Sequence, residues 1–246
     1  MRVGVVAAIS AVALVAGCKS SSDEPPKPVA ATPVDRSTAG SLSVQVLYRG
    51  AVPEAKAVNM NSTPACAKLH SEPVYDTSVV VSAGNLANAV VWIKSGLEGW
   101  VFAPPSKPAT FDQRGCIYQP RIGAAMVGQA VEFINSDSEA HNVHGRPNVV
   151  DGWNFMMSRQ GATKTLYFDK PETGIQVGCD IHPWMKAYLC VVPNPYFGVT
   201  DRQGLVQLTQ VPPGDYTIAV WHETLGTREQ QVSLQPRGEA AISVGF

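Results

Sequence analysis

An all-β fold is predicted for this chain, arranged as one or two antiparallel sandwiches, and three observations predict it. Gly 21 and Pro 19 in 246 residues recur at short intervals between Val-rich runs, which is how turns punctuate strands. No segment holds a helical apolar period over three turns. Roughly ten runs alternate apolar with polar residues or are short and continuously apolar, at the spacing of a sandwich. In chain order they are Leu42–Tyr48, Ser78–Ser82, Ala87–Lys94, Gln129–Asn135, Lys164–Asp169, Gly174–Gly178, Ala187–Val192, Gly204–Thr209, Asp215–Trp221 and Glu239–Val244. Turn signals such as Ser82-Ala83-Gly84-Asn85, Asp201-Arg202-Gln203-Gly204 and Pro212-Pro213-Gly214-Asp215 separate them. Hydrophobic residues make up 45% of the chain, which excludes a disordered or collagen-like polymer. With 16% charged residues, 19 Lys+Arg against 20 Asp+Glu and no basic cluster, nucleic acid is excluded as an expected partner.

The first residues read as an address. Met1-Arg2 precedes Val3–Ala16, apolar but for Ser10, and shorter than the roughly 20 apolar residues that a spanning helix needs. The run ends in Val15-Ala16-Gly17-Cys18, which resembles the lipobox of bacterial lipoprotein signal peptides. That resemblance implies that residues 1–17 are a signal peptide and that Cys18 carries the lipid. Residues 18–40, rich in Ser and Pro and without an aromatic, are expected to be a disordered tether, because they cannot bury enough to offset the entropy of ordering. Together these features imply a protein lipid-anchored to a bacterial membrane on its extracytoplasmic side. In a Gram-negative host Lys19, standing where Asp usually signals inner-membrane retention, favours the outer membrane, on its periplasmic face or at the surface.

The chemistry concentrates in Gly178-Cys179-Asp180-Ile181-His182-Pro183-Trp184-Met185, where one strand ends and another begins. A thiolate, an imidazole and a thioether within seven residues are three of the four donors of an electron-transfer copper site. Soft sulfur suits Cu(I), imidazole tolerates Cu(II), and a compromise geometry moves little between them. A second imidazole is available at His141 or His144, after the strand pattern Val131-Glu132-Phe133-Ile134. Zinc would rarely choose Met, and the c-type haem motif is absent.

Asn135 to His144, Met156-Met157, Leu166-Tyr167-Phe168, Gly174 and then Cys179 to Met185 resemble the cupredoxin family of small blue copper proteins. The short Cys-x-x-His-x-x-Met loop is most similar to its amicyanin-like members. The matched region is about a fifth of the chain; Ala140 stands where Pro is common, and Pro53 to Arg121 is longer than a minimal member would supply. The resemblance implies a Greek-key sandwich with one mononuclear type 1 copper. His141, which opens the family's H-N-V segment, Cys179 and His182 would be the equatorial ligands and Met185 the axial one. It further implies that Asn135 ties the two ligand loops together and that His182, in an exposed loop, is the electron exit. Trp184 is expected to cover the copper edge, and His144 to pack or hydrogen-bond beside the site. Met156 and Met157 are expected to pack. Cys66, Cys116 and Cys190 remain; Cys66 and Cys116 are the expected disulfide in an oxidising compartment, with Cys190 a buried thiol. A Cys179–Cys190 disulfide, the alternative, would abolish the copper site.

Val199 to Gly204, Val206, Leu208 and Val211-Pro-Pro-Gly-Asp-Tyr216-Thr-Ile-Ala-Val220 resemble the second half of transthyretin-like regulatory modules, and Gly40 to Val58 resembles their opening strand. The expected division is therefore 41–74 as the N-terminal strand region of a second sandwich, 75–192 as the copper domain and 193–246 as the transthyretin-like segment. The second sandwich would be discontinuous, with the copper domain inserted into it or sharing its sheets. Trp221-His222-Glu223 is a candidate surface site, weighed against a structural aromatic. These readings describe an electron carrier serving a redox partner protein, with no organic substrate and no enzymatic turnover. Two alternatives stand beside it: a lipoprotein for copper storage or delivery, and a metal-free structural or binding sandwich.

Overall fold

The computed structural model describes residues 21–246. The expected signal peptide and Cys18, the expected lipidation site, lie outside the described residues. Strands dominate, and the helix among the described residues is a single turn, Pro64–Ala67. No helix among them is long and apolar enough to cross a membrane.

Four sheets form two sandwiches. In the first, one sheet runs Ser21–Ser22, Ala162–Phe168, Val131–Asn135, Ala109–Gln113, Tyr118–Gln119. It faces a sheet of Trp153–Met157, His141–Arg146, Glu172–Gly178, Lys186–Val192 and Ile122–Met126. Alternation supplies the core between them: Val131 and Phe133 point inward from one sheet, and Val143, Ile175, Val177, Leu189 and Val191 from the other. In the second sandwich, Phe197–Val199, Val90–Ser95, Gly214–His222 and Gly226–Leu234 form one sheet. Its partner sheet runs Leu205–Val211, Gly40–Leu47, Asn85–Leu86, Val81–Ser82, with Glu239–Gly245 lying parallel to Gly40–Leu47. Leu42, Val44 and Val46 on alternate positions meet Val91, Ile93, Ile218 and Val220.

Two apolar runs in the sequence, Val90-Val91-Trp92-Ile93 and Leu189-Cys190-Val191-Val192, do not alternate, and the packing shows why. Their odd and even residues face different cores. Val91 and Ile93 fill the second sandwich and Leu189 and Val191 the first. Val90, Trp92, Cys190 and Val192 meet Ile122 and Ala219 in a third cluster between the sandwiches. A strand buried on both faces reads as a continuous apolar run. Cys190 is a buried thiol in that cluster, accepting the Gly174 N–H at 3.3 Å.

Sheet membership corrects the expected boundaries. Val81–Ser82, Asn85–Leu86 and Val90–Ser95, expected within 75–192, lie in the sheets of the second sandwich and not of the first. Conversely, Met60 and Cys66 pack in the core of the first, with Val58 and Val74 against it. A disulfide between Cys66 and Cys116 fastens that segment there. The stretch expected to be a free tether also makes contacts. Ser21–Ser22 pairs along the edge strand Ala162–Phe168, and Thr32 exchanges hydrogen bonds with Val101 at 2.7 and 3.0 Å. These bonds use backbone and hydroxyl groups, which a hydrophobic pattern does not register.

Trp221-His222-Glu223 is not a surface site. His222 is fully buried, and burial first, then the nearby Arg121 charge, holds its imidazole down at about 4. Glu223 is buried in an ion pair with Arg121 from the other sandwich.

Candidate metal centre

The site is assembled at one end of the first sandwich, from the start of the strand His141–Arg146 and the turn Cys179–Met185. Asn135, the inward-facing last residue of its strand, organises the loop that delivers His141. Its Nδ2 donates to the carbonyls of Glu139 and Met157, both at 2.9 Å, and its Oδ1 accepts the Asp137 N–H at 2.9 Å. Asp137, so placed, accepts the N–H groups of Gly115 and Cys116 at 2.6 and 2.7 Å and faces His141 Nε2 at 3.0 Å. The carboxylate engages Nε2 of His141, so that Nδ1 is the ring nitrogen turned toward the interior. A carboxylate behind an imidazole fixes the tautomer of a metal ligand in this way.

His141 Nδ1 lies 3.0 Å from His182 Nδ1, and Cys179 Sγ is 3.7 Å from the same His182 atom. One donor atom from each of His141, Cys179 and His182 falls within 4.8 Å of the others, and all three side chains are buried. Met185 follows in the same turn, where its N–H donates to the His182 carbonyl at 2.9 Å. It is buried in the core cluster that contains Cys179.

Charge and burial act together on these groups. Burial disfavours the His141 cation, but the hydrogen bonds to Asp137 and Cys179 outweigh it and raise the imidazole to about 9. Burial likewise opposes the Cys179 thiolate, yet the His141 hydrogen bond and the backbone N–H groups of Asn142, His182 and Ile181 bring the thiol below its ordinary value. His182 is lowered, by burial and then by the charge of His141. The cluster brings together a buried thiol, whose ionised form its neighbours favour, and two imidazoles.

The tie between the two ligand segments is not Asn135, whose side chain serves only the first loop and the adjacent strand. It is Asn142. Its Oδ1 accepts the Asp180 N–H at 2.7 Å, directly after Cys179, and its Nδ2 donates to the Asp180 carboxylate at 2.8 Å. Hydrogen bonds to Asp180 from His144, then from Asn154 and Asn142, hold its carboxyl down at about 2. His144 therefore sits outside the donor cluster, bonded to Asp180 at 2.9 Å. Tyr118 makes a second brace. Its hydroxyl accepts from Gln113 Nε2 at 3.1 Å and stands 3.2 and 3.1 Å from the carbonyls of Asn142 and Gly178. Sequence reasoning missed Asp137, Asn142, Asp180 and Tyr118. The adjacency of Asn142 to His141 and of Asp180 to Cys179 was the available signal for two of them.

His182 is not exposed. Its residue is 2% accessible, because Trp184 packs against the ring at 5.1 Å between centroids and Cys66 Sγ lies 3.5 Å from Nε2. Trp184 is itself held by an Nε1–H bond to the Cys116 carbonyl at 2.9 Å. The expected exit through an open His182 edge is thus closed by the disulfide-fastened segment. Of the two methionines expected to pack, Met157 is buried and Met156 is exposed.

No protein-family model matches the chain, and no curated protein matches it. Solved structures similar to it include a mutant amicyanin in the Cu(I) form, at 22% identity and TM-score 0.31, covering 41% of this chain and 97% of that one. An oxidised amicyanin mutant gives 22% identity and TM-score 0.32 over the same shares. A copper-containing nitrite reductase from Thermus scotoductus SA-01 gives 25% identity and TM-score 0.30, covering 38% of this chain and 24% of that one.

Proposed function

We propose that Cys179, His141, His182 and Met185 hold a single copper ion as a type 1 centre, and that the protein carries single electrons between redox partner proteins. The observation that carries this is the buried convergence of one thiol and two imidazoles within 4.8 Å. Asp137 engages Nε2 of His141 and turns its Nδ1 inward. The donor chemistry fits copper better than zinc, since a soft thiolate, two imidazoles and a thioether suit the Cu(I)/Cu(II) couple and thioether is foreign to zinc sites.

Copper, when bound, supplies a one-electron couple, and the protein's own residues supply rigidity. Asn142 and Tyr118 lock the His141 strand to the Cys179 turn. Asp137 fixes one imidazole, and Trp184 with the disulfide packs the other. A site held on both flanks changes little between oxidation states, which is what an electron carrier needs and a loose delivery site does not. The reading has the protein act outside the cytoplasm, held to a membrane through lipid on Cys18, with neither nucleic acid nor an organic substrate. Direct voltammetry of the copper-loaded protein tests it. The expected result is one reversible one-electron wave whose amplitude survives repeated cycling against a Cu(I) chelator. Loss of copper to the chelator on the first reduction would instead identify a delivery protein.

A further inference from the structure

His182 has two ring nitrogens, and the structure gives each a different set of neighbours. Nδ1 faces His141 and Cys179. Nε2 faces the Cys66–Cys116 disulfide, with Cys66 Sγ at 3.5 Å. One donor atom each from Cys66, Cys116 and His182 lies within 4.8 Å of the others, and all three residues are buried.

We propose that reduction of this disulfide unmasks a second soft metal site, made of the Cys66 and Cys116 thiolates and His182 Nε2, which binds Cu(I). The step balances as follows. A dithiol reductant gives two electrons and two protons, the Cys66–Cys116 bond breaks into two thiols, and the reductant leaves as a disulfide. Cu(I) then displaces the two thiol protons as the sulfurs ligate. Two thiolates and an imidazole are three soft-to-intermediate donors, which suits three-coordinate Cu(I), whereas zinc on the same groups takes a fourth ligand. When the centre on the Nδ1 side is also filled, His182 gives up its Nε2 proton and spans the two sites.

Both cysteines are buried, so reduction requires the segment that carries Cys66 to lift from the first sandwich. Around Pro64–Ala67 the residues on either side of Cys66 are exposed; the segment pairs with itself, by the bridge Ala57 to Tyr75 and the N–H groups of Val58 and Asp76 on the carbonyls of Val74 and Lys56, and His70 Nε2 meets the Gly115 carbonyl at 2.7 Å. Short surface segments with few pairings open locally at small cost. The redox state of the compartment would then set how much copper the protein carries, a property distinct from electron transfer and independent of whether the first centre forms.

The test is a Cu(I) titration against a competing chelator, on protein with the disulfide intact and on protein reduced by a trialkylphosphine. The phosphine becomes its oxide and adds no competing thiol. Reduction is expected to raise the copper bound from one to two equivalents, and to add one equivalent in Cys179→Ser as well. X-ray absorption of the added copper should show two sulfurs and one nitrogen. The double variant Cys66→Ser/Cys116→Ser should keep the first equivalent and gain none. No increment on reduction, or an added copper with fewer than two sulfurs, overturns the proposal. If the intact protein binds none while the reduced protein binds one copper with two sulfurs, this inference stands and the type 1 reading fails.

Discussion

Cys179→Ser is expected to give a folded, colourless protein. Cys179 is 5% exposed and sits just past the strand Glu172–Gly178, where Asn142, Ile181 and His182 offer it backbone N–H groups. A hydroxyl occupies nearly the same volume and can accept those bonds, so the stability cost should be about 1 kcal/mol, the centre of the range for point substitutions. The effect on metal is of another order. Removing a group that merely hydrogen-bonds a ligand costs roughly 10–100-fold in affinity, and the substitution removes the proposed thiolate ligand itself. Loss of more than that factor in Cu(II) affinity, with an unchanged far-UV spectrum, is the expected result. A variant that keeps an intense visible band would reject Cys179 as the thiolate ligand.

Glu223→Gln should be the most damaging change far from the metal centre. Arg121 Nε and Nη2 meet Glu223 Oε1 and Oε2 at 2.5 and 2.8 Å. The side chains are 16% and 3% exposed, and the two residues come from different sandwiches. The amide keeps the shape and removes the charge, leaving the Arg121 guanidinium largely buried with Asp76, at 3.8 Å, as its remaining carboxylate. Breaking one side of a buried pair costs about 3 kcal/mol or more. Removing both charges together, as Arg121→Met with Glu223→Leu, should cost less than the single change, because no charge is then stranded. Urea unfolding of the three proteins checks this. A shift below about 0.5 kcal/mol for Glu223→Gln would mean that water or Asp76 already satisfies Arg121.

How much of this was legible follows from where the information sits. All ten expected strands have counterparts, because each buries alternate or successive apolar residues. The strand Gly226–Leu234 was not legible: it pairs along nine positions with Gly214–His222, yet nearly all its side chains are exposed and polar. Its backbone bonds hold it, and sequence hydropathy does not record backbone bonds. His141–Arg146 escaped for a different reason, since its residues are spent on the site. Spacing within one turn suggested Cys179, His182 and Met185. The group behind His141 is a carboxylate four residues upstream that has no motif. The burial of His182 is the least legible feature, because it depends on a segment more than 100 residues away that a disulfide brings across the ring.

The central claim is that one thiolate and two imidazoles converge on a single copper. An optical and electron paramagnetic resonance spectrum of the protein with one equivalent of Cu(II) tests it most directly. The account predicts an intense absorption toward the red end of the visible, saturating at one equivalent, with a small copper hyperfine splitting. A colourless adduct with the large splitting of ordinary tetragonal Cu(II), and Cys179 still titrating as a free thiol, would contradict it.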